Sequence, residues 1–344
     1  MVRIAMDAMG GDFAPGAIVQ GAAAALSQRS DLHIILVGRR EMLEKELQGL
    51  SYPAERLHLV HAPEIIGNND NPGLAIRSKK GSSMVAALQM VRSGEADAAL
   101  SAGNTGALMA GGLLFLGRLS GISRPALLAV MPGFGGDPVV LLDAGANMDA
   151  RPGQLVQYAF MGCIYTEKIL NRPSPRVALL NVGTEPQKGN SQAKKAYTLL
   201  KEYIPGFCGN IEGTDIFTGA ADVIVCDGFV GNIVLKNTEG LARGILGQIK
   251  AECGASARYR LGAALLKPAL MRLRAKLDDS EYGGALLVGV KGLCIKCHGS
   301  SRARSIEQAL LRQAYPFVKG RVLELFQEAL AETACLGKEE TAID

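Results

Sequence analysis

Short apolar runs recur along the chain, and turn residues such as Gly, Asn and Asp follow them. Each run has the length and the Val, Ile and Leu content of a buried strand, and several segments between them show helical spacing of apolar residues. Strands are predicted at 2–8, 32–38, 57–62, 97–101, 126–131, 139–144, 177–182, 222–227, 285–290 and 293–298, and helices at 14–26, 82–91, 105–116, 191–203 and 230–249. This alternation predicts an α/β fold with a mostly parallel sheet covered on both faces.

One segment departs from the pattern. From 254 to 277 every charged residue is basic, while Leu and Met supply an apolar face. Pro268 is expected to break this helix or to turn it into a two-helix hairpin, because proline lacks an amide hydrogen. We expect one domain over 1–333 that includes a helical hairpin at 250–278, followed by an acidic tail at 334–344. The basic residues of the segment are Arg258, Arg260, Lys267, Arg272, Arg274 and Lys276.

Composition and charge narrow the class of protein. Of the 344 residues, 48% are hydrophobic and 20% charged, which is typical of a globular chain with a sizeable core. A net charge of +4 does not indicate nucleic acid as a partner. Seven scattered cysteines favour reduced thiols over a disulfide framework. The longest apolar stretch, 107–117, is shorter than the ~20 residues that span a bilayer. The N-terminus does not resemble a signal peptide, so a cytoplasmic location is expected.

Several predicted strands lead into loops rich in backbone N–H donors and small polar side chains. Such loops bind anions when they open a helix, because the free N–H groups and the helix dipole attract negative charge. The alternative is a plain strand-to-helix turn capped by Asn104 or Thr105. A basic turn at 77–83 also opens a helix, where an anionic ligand would relieve the repulsion between its cations and the dipole. By itself this turn is better explained as a solvated basic turn. The candidate anion-binding residues in these loops are Asp7, Gly10, Gly11, Ser82, Ser83, Gly103, Asn104 and Thr105.

Three further strand ends carry single polar candidates. Lys188 follows the strand at 177–182 and brings one ammonium group, and Asn232 follows the strand at 222–227 and brings an amide. His298 ends the last strand and is a candidate hydrogen-bond or proton donor. Ligands of α/β sheets bind beyond the carboxyl ends of strands, so these residues are expected to share one pocket. Each of them also fits a plain turn or a structural role.

Several familiar chemistries are absent from the sequence. It contains no P-loop, no dinucleotide-binding G-x-G-x-x-G and no nucleophile elbow. His58 and His61 face opposite sides of a strand, so a metal site is not expected. The haem-attachment match at 294–298 is judged accidental, since its two sulfurs point to opposite faces. Convergent anion-binding loops without an evident nucleophile suit a reaction in which the substrate anion is itself the nucleophile.

The loops, in this order, resemble the bacterial phosphate acyltransferase family (acyl-ACP:phosphate transacylase of phospholipid synthesis). The matching runs are DAMGGD at 7–12, SAGNTGALM at 101–109, DAGAN at 143–147, NVGTE at 181–185, KGN at 188–190, DGF at 227–229, GN at 231–232, YGGA at 282–285 and HGSS at 298–301. The resemblance implies a Rossmann-like α/β/α sandwich with a protruding basic helical hairpin, related to phosphotransacetylases and isocitrate-dehydrogenase-like enzymes. It also implies a homodimer that uses neither metal nor nucleotide cofactor.

The same resemblance implies a reaction and partners. An acyl carrier protein would donate a fatty acyl group to inorganic phosphate, and a membrane glycerol-phosphate acyltransferase would receive the acyl phosphate. The protein would sit peripherally on the inner membrane face, with the basic hairpin on the anionic membrane surface, in the dimer interface, or against the acidic carrier protein.

By motif position, Lys188 and Asn232 match the family's presumed catalytic residues. The hypothesis is that phosphate binds among Ser82–Ser83, Gly103–Thr105, Asp143 and Asn147 and is held by Lys188, while Asn232 and His298 donate to the oxyanion. Two departures from the family are Phe13, where a His is usual, and Cys297, where Ser or Ala is usual. The alternatives are a CoA-dependent phosphotransacetylase, a decarboxylating dehydrogenase, or a non-catalytic, membrane-associated protein that binds lipid intermediates.

Overall fold

The computed structural model describes residues 1–277 and 284–333, with side chains within 1–273 and 284–328. All described strands form one sheet of eleven, in the order β3-β2-β1-β4-β11-β10-β5-β6-β9-β7-β8. The strands are β1 (Val2–Asp7), β2 (Leu32–Gly38), β3 (Leu57–His61), β4 (Ala98–Ser101), β5 (Ala126–Met131), β6 (Val139–Leu142), β7 (Val177–Leu180), β8 (Phe207–Ile211), β9 (Val223–Val225), β10 (Ala285–Val288) and β11 (Leu293–Lys296).

Helices cover both faces of this sheet, which confirms the predicted fold class. They are α1 (Gly16–Leu26), α2 (Arg40–Leu47), α3 (Pro72–Ser78), α4 (Ser83–Ser93), α5 (Thr105–Gly111), α6 (Pro152–Lys168), α7 (Ser191–Tyr203), α8 (Gly228–Gly254), α9 (Ala257–Leu277), α10 (Ala303–Gln308), α11 (Tyr315–Lys319) and α12 (Val322–Thr333). The two faces have separate cores, because successive side chains of a strand point to opposite sides. In β1, for example, Ile4 and Met6 enter one core and Ala5 the other.

The ten predicted strands are all present, and β8 is an additional strand. Its sequence, FCGNI, lacks the apolar run of a buried strand. Among the described strands β8 pairs with β7 alone and lies at the edge of the sheet, so half of its backbone and part of its side chains face outward. An edge position tolerates such residues, which is why the hydrophobic pattern did not reveal it.

The sheet reverses direction in its middle. β10 is antiparallel to both β11 and β5, and β5 is antiparallel to β6, whereas all other neighbouring strands are parallel. The carboxyl ends of β1, β4 and β11 therefore lie at one edge, and those of β6, β7 and β9 at the opposite edge. The expectation that all the candidate loops meet at a single edge is wrong. The sequence pattern identifies strands but not the direction in which each one runs.

α8 and α9 form the hairpin, with their turn at Ala255–Ser256. The expected break at Pro268 is wrong, since α9 continues through it. Proline removes the hydrogen bond to the carbonyl of Ala264. Both residues are exposed, so water can donate to that carbonyl instead. Along α8 only Gly228 and Gly231 are buried, and the rest of the helix is left largely uncovered by this chain.

Candidate active site

A cavity of about 460 Å³ lies against the centre of the sheet, under α8. Its floor is formed by side chains of β5 and β10, and one end reaches the loop that follows β6. The walls are mainly apolar. They include Leu127, Ala129, Met131, Phe134, Phe217, Leu235, Leu241 and Ile245. The polar groups concentrate elsewhere on the lining, where Thr105, Lys236, Glu239, Lys296, His298 and Ser301 come together.

Asn232 reaches the cavity because α8 begins in very close contact with the loop after β6. A Cβ on Gly231 would lie 1.9 Å from the carbonyl oxygen of Asp143, and one on Gly228 would lie 2.7 Å from that of Asn147. Only glycine permits this approach. It places the Asn232 side chain against Gly145. Within the described residues the Asn232 amide makes no hydrogen bond, so it is available to a ligand.

His298, in the loop after β11, lies beside a later turn of α8. Its Nε2 is 3.7 Å from Glu239 Oε2, and its Nδ1 accepts from the Ser300 amide at 3.1 Å. A ring that accepts at Nδ1 carries its proton on Nε2 when neutral. Burial and then the nearby Lys236 lower the pKa of His298. The imidazole is therefore set to donate from Nε2 in its neutral form.

Lys296 is a residue of this site that the sequence interpretation missed. It ends β11, is 9% exposed and lines the cavity. Burial lowers its pKa to about 8. Its side chain points to the same face as Cys294, whereas Ile295 belongs to the opposite core. The available signal was a lysine inside an apolar run read as a strand buried on both faces, where charges are rare.

Asp7 organises loops rather than facing a ligand. Its carboxylate accepts from the hydroxyls of Ser83 at 2.5 Å and Ser101 at 2.7 Å. Burial raises the pKa of Asp7, and these hydrogen bonds oppose that rise. A Cβ on Gly10 would meet Asp7 Oδ2 at 2.5 Å and the Gly103 amide at 2.7 Å, so the two loops touch here. The network joins β1, α4 and β4 beside the polar end of the cavity.

Asp143 has the same role at the opposite edge. Its buried carboxylate accepts from the amides of Leu127, Gly145, Ala146 and Asn147 at 2.7–3.1 Å. The Asn147 side chain donates to Asp143, to Tyr158 and to the carbonyl of Pro125. Burial raises the pKa of Asp143. These interactions fix the loop that receives α8, so Asp143 and Asn147 position the site without lining the cavity.

The remaining loop candidates divide between caps and cavity. Ser82 Oγ caps α4. The side-chain Oδ1 of Asn104 caps α5, as one of the two sequence interpretations expected. The Asn104 amide donates to three carbonyls of the 67–70 loop. Gly11 has φ of 110°, a conformation that favours glycine. Of this group only Thr105 lines the cavity.

Lys188 is not among the described residues that line the cavity. It lies in the loop after β7, is half-exposed and has its ammonium 3.7 Å from Glu185 Oε1. Asn181 donates to the Lys188 carbonyl, and Asn190 caps α7, so the loop folds onto itself. β7 is paired with β9, whose following loop begins α8. Lys188 therefore shares an edge of the sheet with Asn232 and lies away from the His298 edge.

The basic residues of the hairpin lie on its surface. Arg258, Arg260, Lys267 and Arg272 are exposed, as are apolar neighbours such as Leu265, which is 79% exposed. The side chains of Arg274 and Lys276 lie outside the described residues. No described helix is long and apolar enough to cross a membrane. The hairpin thus presents cations and apolar groups together on an uncovered surface.

Phe13 lies outside the cavity lining. The Arg302 guanidinium stacks on its ring, 4.1 Å from the centroid. This cation–π contact gives the side chain a packing role near the end of β1. The residue at position 13 therefore has no acid–base group to offer the site.

The chain is similar to known proteins in sequence and in fold. A sequence model of the family described as fatty acid synthesis protein matches residues 2–324. The phosphate acyltransferase of Clostridium tetani is 44% identical over 97% of this chain and 100% of its own length. Those of Alkaliphilus oremlandii and Bacillus cytotoxicus are 48% and 49% identical, over 98% and 94% of this chain and 99% and 96% of their own lengths.

Solved structures show the same fold at low sequence identity. A phosphotransacetylase from Streptococcus pyogenes superposes with a TM-score of 0.60 at 17% identity, over 92% of this chain and 94% of that one. A branched-chain phosphotransacylase from Enterococcus faecalis gives 0.56 at 15% identity, over 92% and 99%. The predicted relation to the phosphotransacetylase fold is confirmed. On the sequence similarities, this chain belongs to the phosphate acyltransferase family.

Proposed function

We propose that this protein transfers a fatty acyl group from the thioester of an acyl carrier protein to inorganic phosphate, giving an acyl phosphate for phosphatidic acid synthesis. The observation that carries the proposal is the cavity under α8, with apolar walls and a polar end. Apolar walls suit an acyl chain. Ammonium and imidazole groups suit a phosphate.

The chemistry is a single acyl transfer. A phosphate oxygen attacks the thioester carbonyl carbon, the carbon–sulfur bond breaks, and the phosphate proton ends on the carrier thiol. Asn232 donates from its free amide to the oxyanion that forms on the carbonyl oxygen. Asn232 and Glu239 are about 10 Å apart along α8, at 1.5 Å per residue. His298 lies beside Glu239, so we assign it to the phosphate and the departing sulfur rather than to the oxyanion.

Only the sequence motif supports Lys188 as a phosphate-holding residue, since Lys188 is not among the described residues that line the cavity. It lies at the Asn232 edge of the sheet and is half-exposed. The candidate residues Ser82, Ser83, Gly103 and Asn104 are proposed to act by shaping the polar end.

The hairpin is proposed to serve both a homodimer and an anionic membrane surface. Its exposed apolar side chains need a partner, and each nearby Lys or Arg adds ~1 kcal/mol of attraction to an anionic leaflet. Such a peripheral position would let the acyl phosphate pass to a membrane glycerol-phosphate acyltransferase. An acidic carrier protein would approach the same basic surface.

The deciding experiment mixes the purified full chain with acyl carrier protein charged with a fatty acid and with inorganic phosphate. Free carrier thiol and acyl phosphate, trapped as hydroxamate, are expected in equal amounts. Sulfate in place of phosphate is the control and should give neither product. An acyl-CoA donor at the same concentration should react more slowly.

Two outcomes would replace the proposal. Faster turnover with acyl-CoA would favour the CoA-dependent phosphotransacetylase, which shares the fold. Tight retention of acyl phosphate without release of carrier would favour a non-catalytic protein that binds lipid intermediates.

A further inference from the structure

Lys296 occupies a position that connects the loop network to the cavity. In the sheet it is in register with Ser101 on β4 and with Ala285 on β10, and Ser101 is in register with Asp7 on β1. Adjacent strands lie ~4.8 Å apart, so Asp7 is two strands away, ~10 Å at Cα. Ala285 forms part of the cavity lining beside Lys296. The lysine thus stands between the buried aspartate and the open space.

The Lys296 ammonium is only partly satisfied by this chain. It donates to the carbonyl of Ala102 at 3.4 Å and to that of Cys297. Among the described residues no carboxylate lies within 4.0 Å of it. A buried cation without a counter-ion is costly, and a bound anion removes that cost. Carbonyl oxygens orient an ammonium group but do not neutralise it.

The surrounding charges favour an anion at this place. Lys236 on α8 lines the same end of the cavity. Burial is the main cause that lowers the pKa of Lys296, and the charge of Lys236 lowers it further. The nearby acidic groups already have partners, and Asp12 accepts from the Asn68 side chain at 3.4 Å. Asp7 accepts from two serine hydroxyls, and Glu239 Oε2 faces Lys236 at 3.3 Å and Arg243 at 3.8 Å.

The geometry points to Lys296 as the residue that binds the phosphate dianion in the cavity, with Lys236 as the second cation facing it. This inference rests on the proposed function and names the group that holds its nucleophile. It assigns to Lys296 the task that the sequence motif gave to Lys188. Lys188 is half-exposed, lies 3.7 Å from Glu185 and does not line the cavity. A phosphate beside Lys296 would also lie near His298, which lines the same cavity and is two residues further along the chain.

Lys296→Gln tests the inference, with Lys291→Gln as the matched control. Lys291 is exposed in the turn between β10 and β11 and carries no proposed role. We expect the KM for phosphate to rise tenfold to a hundredfold in Lys296→Gln, the range that corresponds to loss of one charged hydrogen bond. The KM for the acyl donor should stay within about twofold. Lys291→Gln should leave both constants unchanged.

The pH dependence of the wild-type protein gives a second readout that needs no variant. The titratable groups around Lys296 are Asp7, Asp12, Lys236, Glu239, Cys297 and His298. Because the pKa of Lys296 is lowered to about 8, its charge is lost as pH rises through that value. The KM for phosphate should therefore climb between about pH 8 and pH 9.5. Lys296→Arg, which keeps its charge, should move this climb to higher pH.

The outcomes separate the two claims. Absence of phosphate-dependent carrier release in the wild-type protein would overturn the proposed function itself. Normal turnover with an unchanged phosphate KM in folded Lys296→Gln would overturn only the present inference, as would a flat phosphate KM above pH 8. A large rise in Lys188→Gln together with none in Lys296→Gln would return the role to Lys188.

Discussion

Replacing Gly231 with alanine tests how α8 is held in place. The added Cβ would lie 1.9 Å from the Asp143 carbonyl oxygen, about 1.5 Å short of the 3.4 Å at which ordinary contact begins. This oxygen cannot move easily, because the Asp143 carboxylate accepts hydrogen bonds from four backbone amides and so fixes the surrounding loop. The helix must shift instead.

The structure sets the size of the effect. Overpacking of this kind costs about 1–3 kcal/mol of unfolding free energy. A displacement of ~1 Å at a reacting group lowers the rate about a hundredfold. We therefore expect Gly231→Ala to unfold at a temperature several degrees lower and to lose about two orders of magnitude in kcat.

Thermal unfolding and the carrier-release assay measure both effects. Gly240→Ala is the matched control, because its Cβ would meet none of the described residues within 4 Å. In a helix that change is expected to stabilise by up to ~1 kcal/mol and to leave kcat unchanged. Equal stability and activity of Gly231→Ala and the wild-type protein would refute the close contact and, with it, the placement of Asn232.

Three other predictions follow from the same geometry. Asn232→Ala should lower kcat by roughly 10²–10³ while the unfolding midpoint stays within a degree, and a near-normal rate would exclude it as the oxyanion donor. Neutralising the six basic hairpin residues should abolish flotation with anionic liposomes at low salt, whereas neutralising Lys194, Lys195 and Lys201 on α7 should not. The pKa of Asp31 is lowered to about 2, first by the hydrogen bond from Lys319 and then by that from Tyr315. Its contribution to stability is therefore present above the unfolded pKa of ~3.9 and lost as pH falls towards 2. The stability difference between wild type and Lys319→Met in urea should stay constant between pH 5 and 7 and shrink below pH 4. A difference that does not change down to pH 2 would count against that ion pair.

Local patterns predicted the elements well, because they depend on residues near in sequence. The runs that become β2, β5 and α7 were predicted with their observed bounds. The Asn104 cap was also anticipated as one alternative, since an Asn before a helix start satisfies a free amide. Local patterns did not determine the direction in which each strand runs. A strand buried on both faces looks the same whether its neighbour is parallel or antiparallel.

The candidate site was predicted less well, for the same reason. Loops were grouped as if all strands ran one way, which brought Lys188 and His298 into one pocket. The reversal at β10 and β5 places them at opposite edges. Lys296 was missed because it stood inside the predicted strand at 293–298, whereas candidates were sought in the loops that follow strands. Its significance comes from the burial that neighbouring strands and α8 impose, and that is a property of the tertiary fold.

The reversal also explains why a single helix can build the cavity and the hairpin. If β9 ran parallel to β11, α8 would begin at the His298 edge and lead away from it. Because β9 is reversed, α8 begins at the opposite edge, where Gly231 meets Asp143, and crosses the sheet face to bring Glu239 to His298. A four-residue strand is ~13 Å long, whereas the 27 residues of α8 extend ~40 Å. The helix is therefore longer than the strands it crosses and extends beyond the sheet. Its second half, together with α9, projects as the exposed hairpin. The length of α8 therefore leaves apolar surface on the hairpin that the sheet cannot cover and that needs another partner.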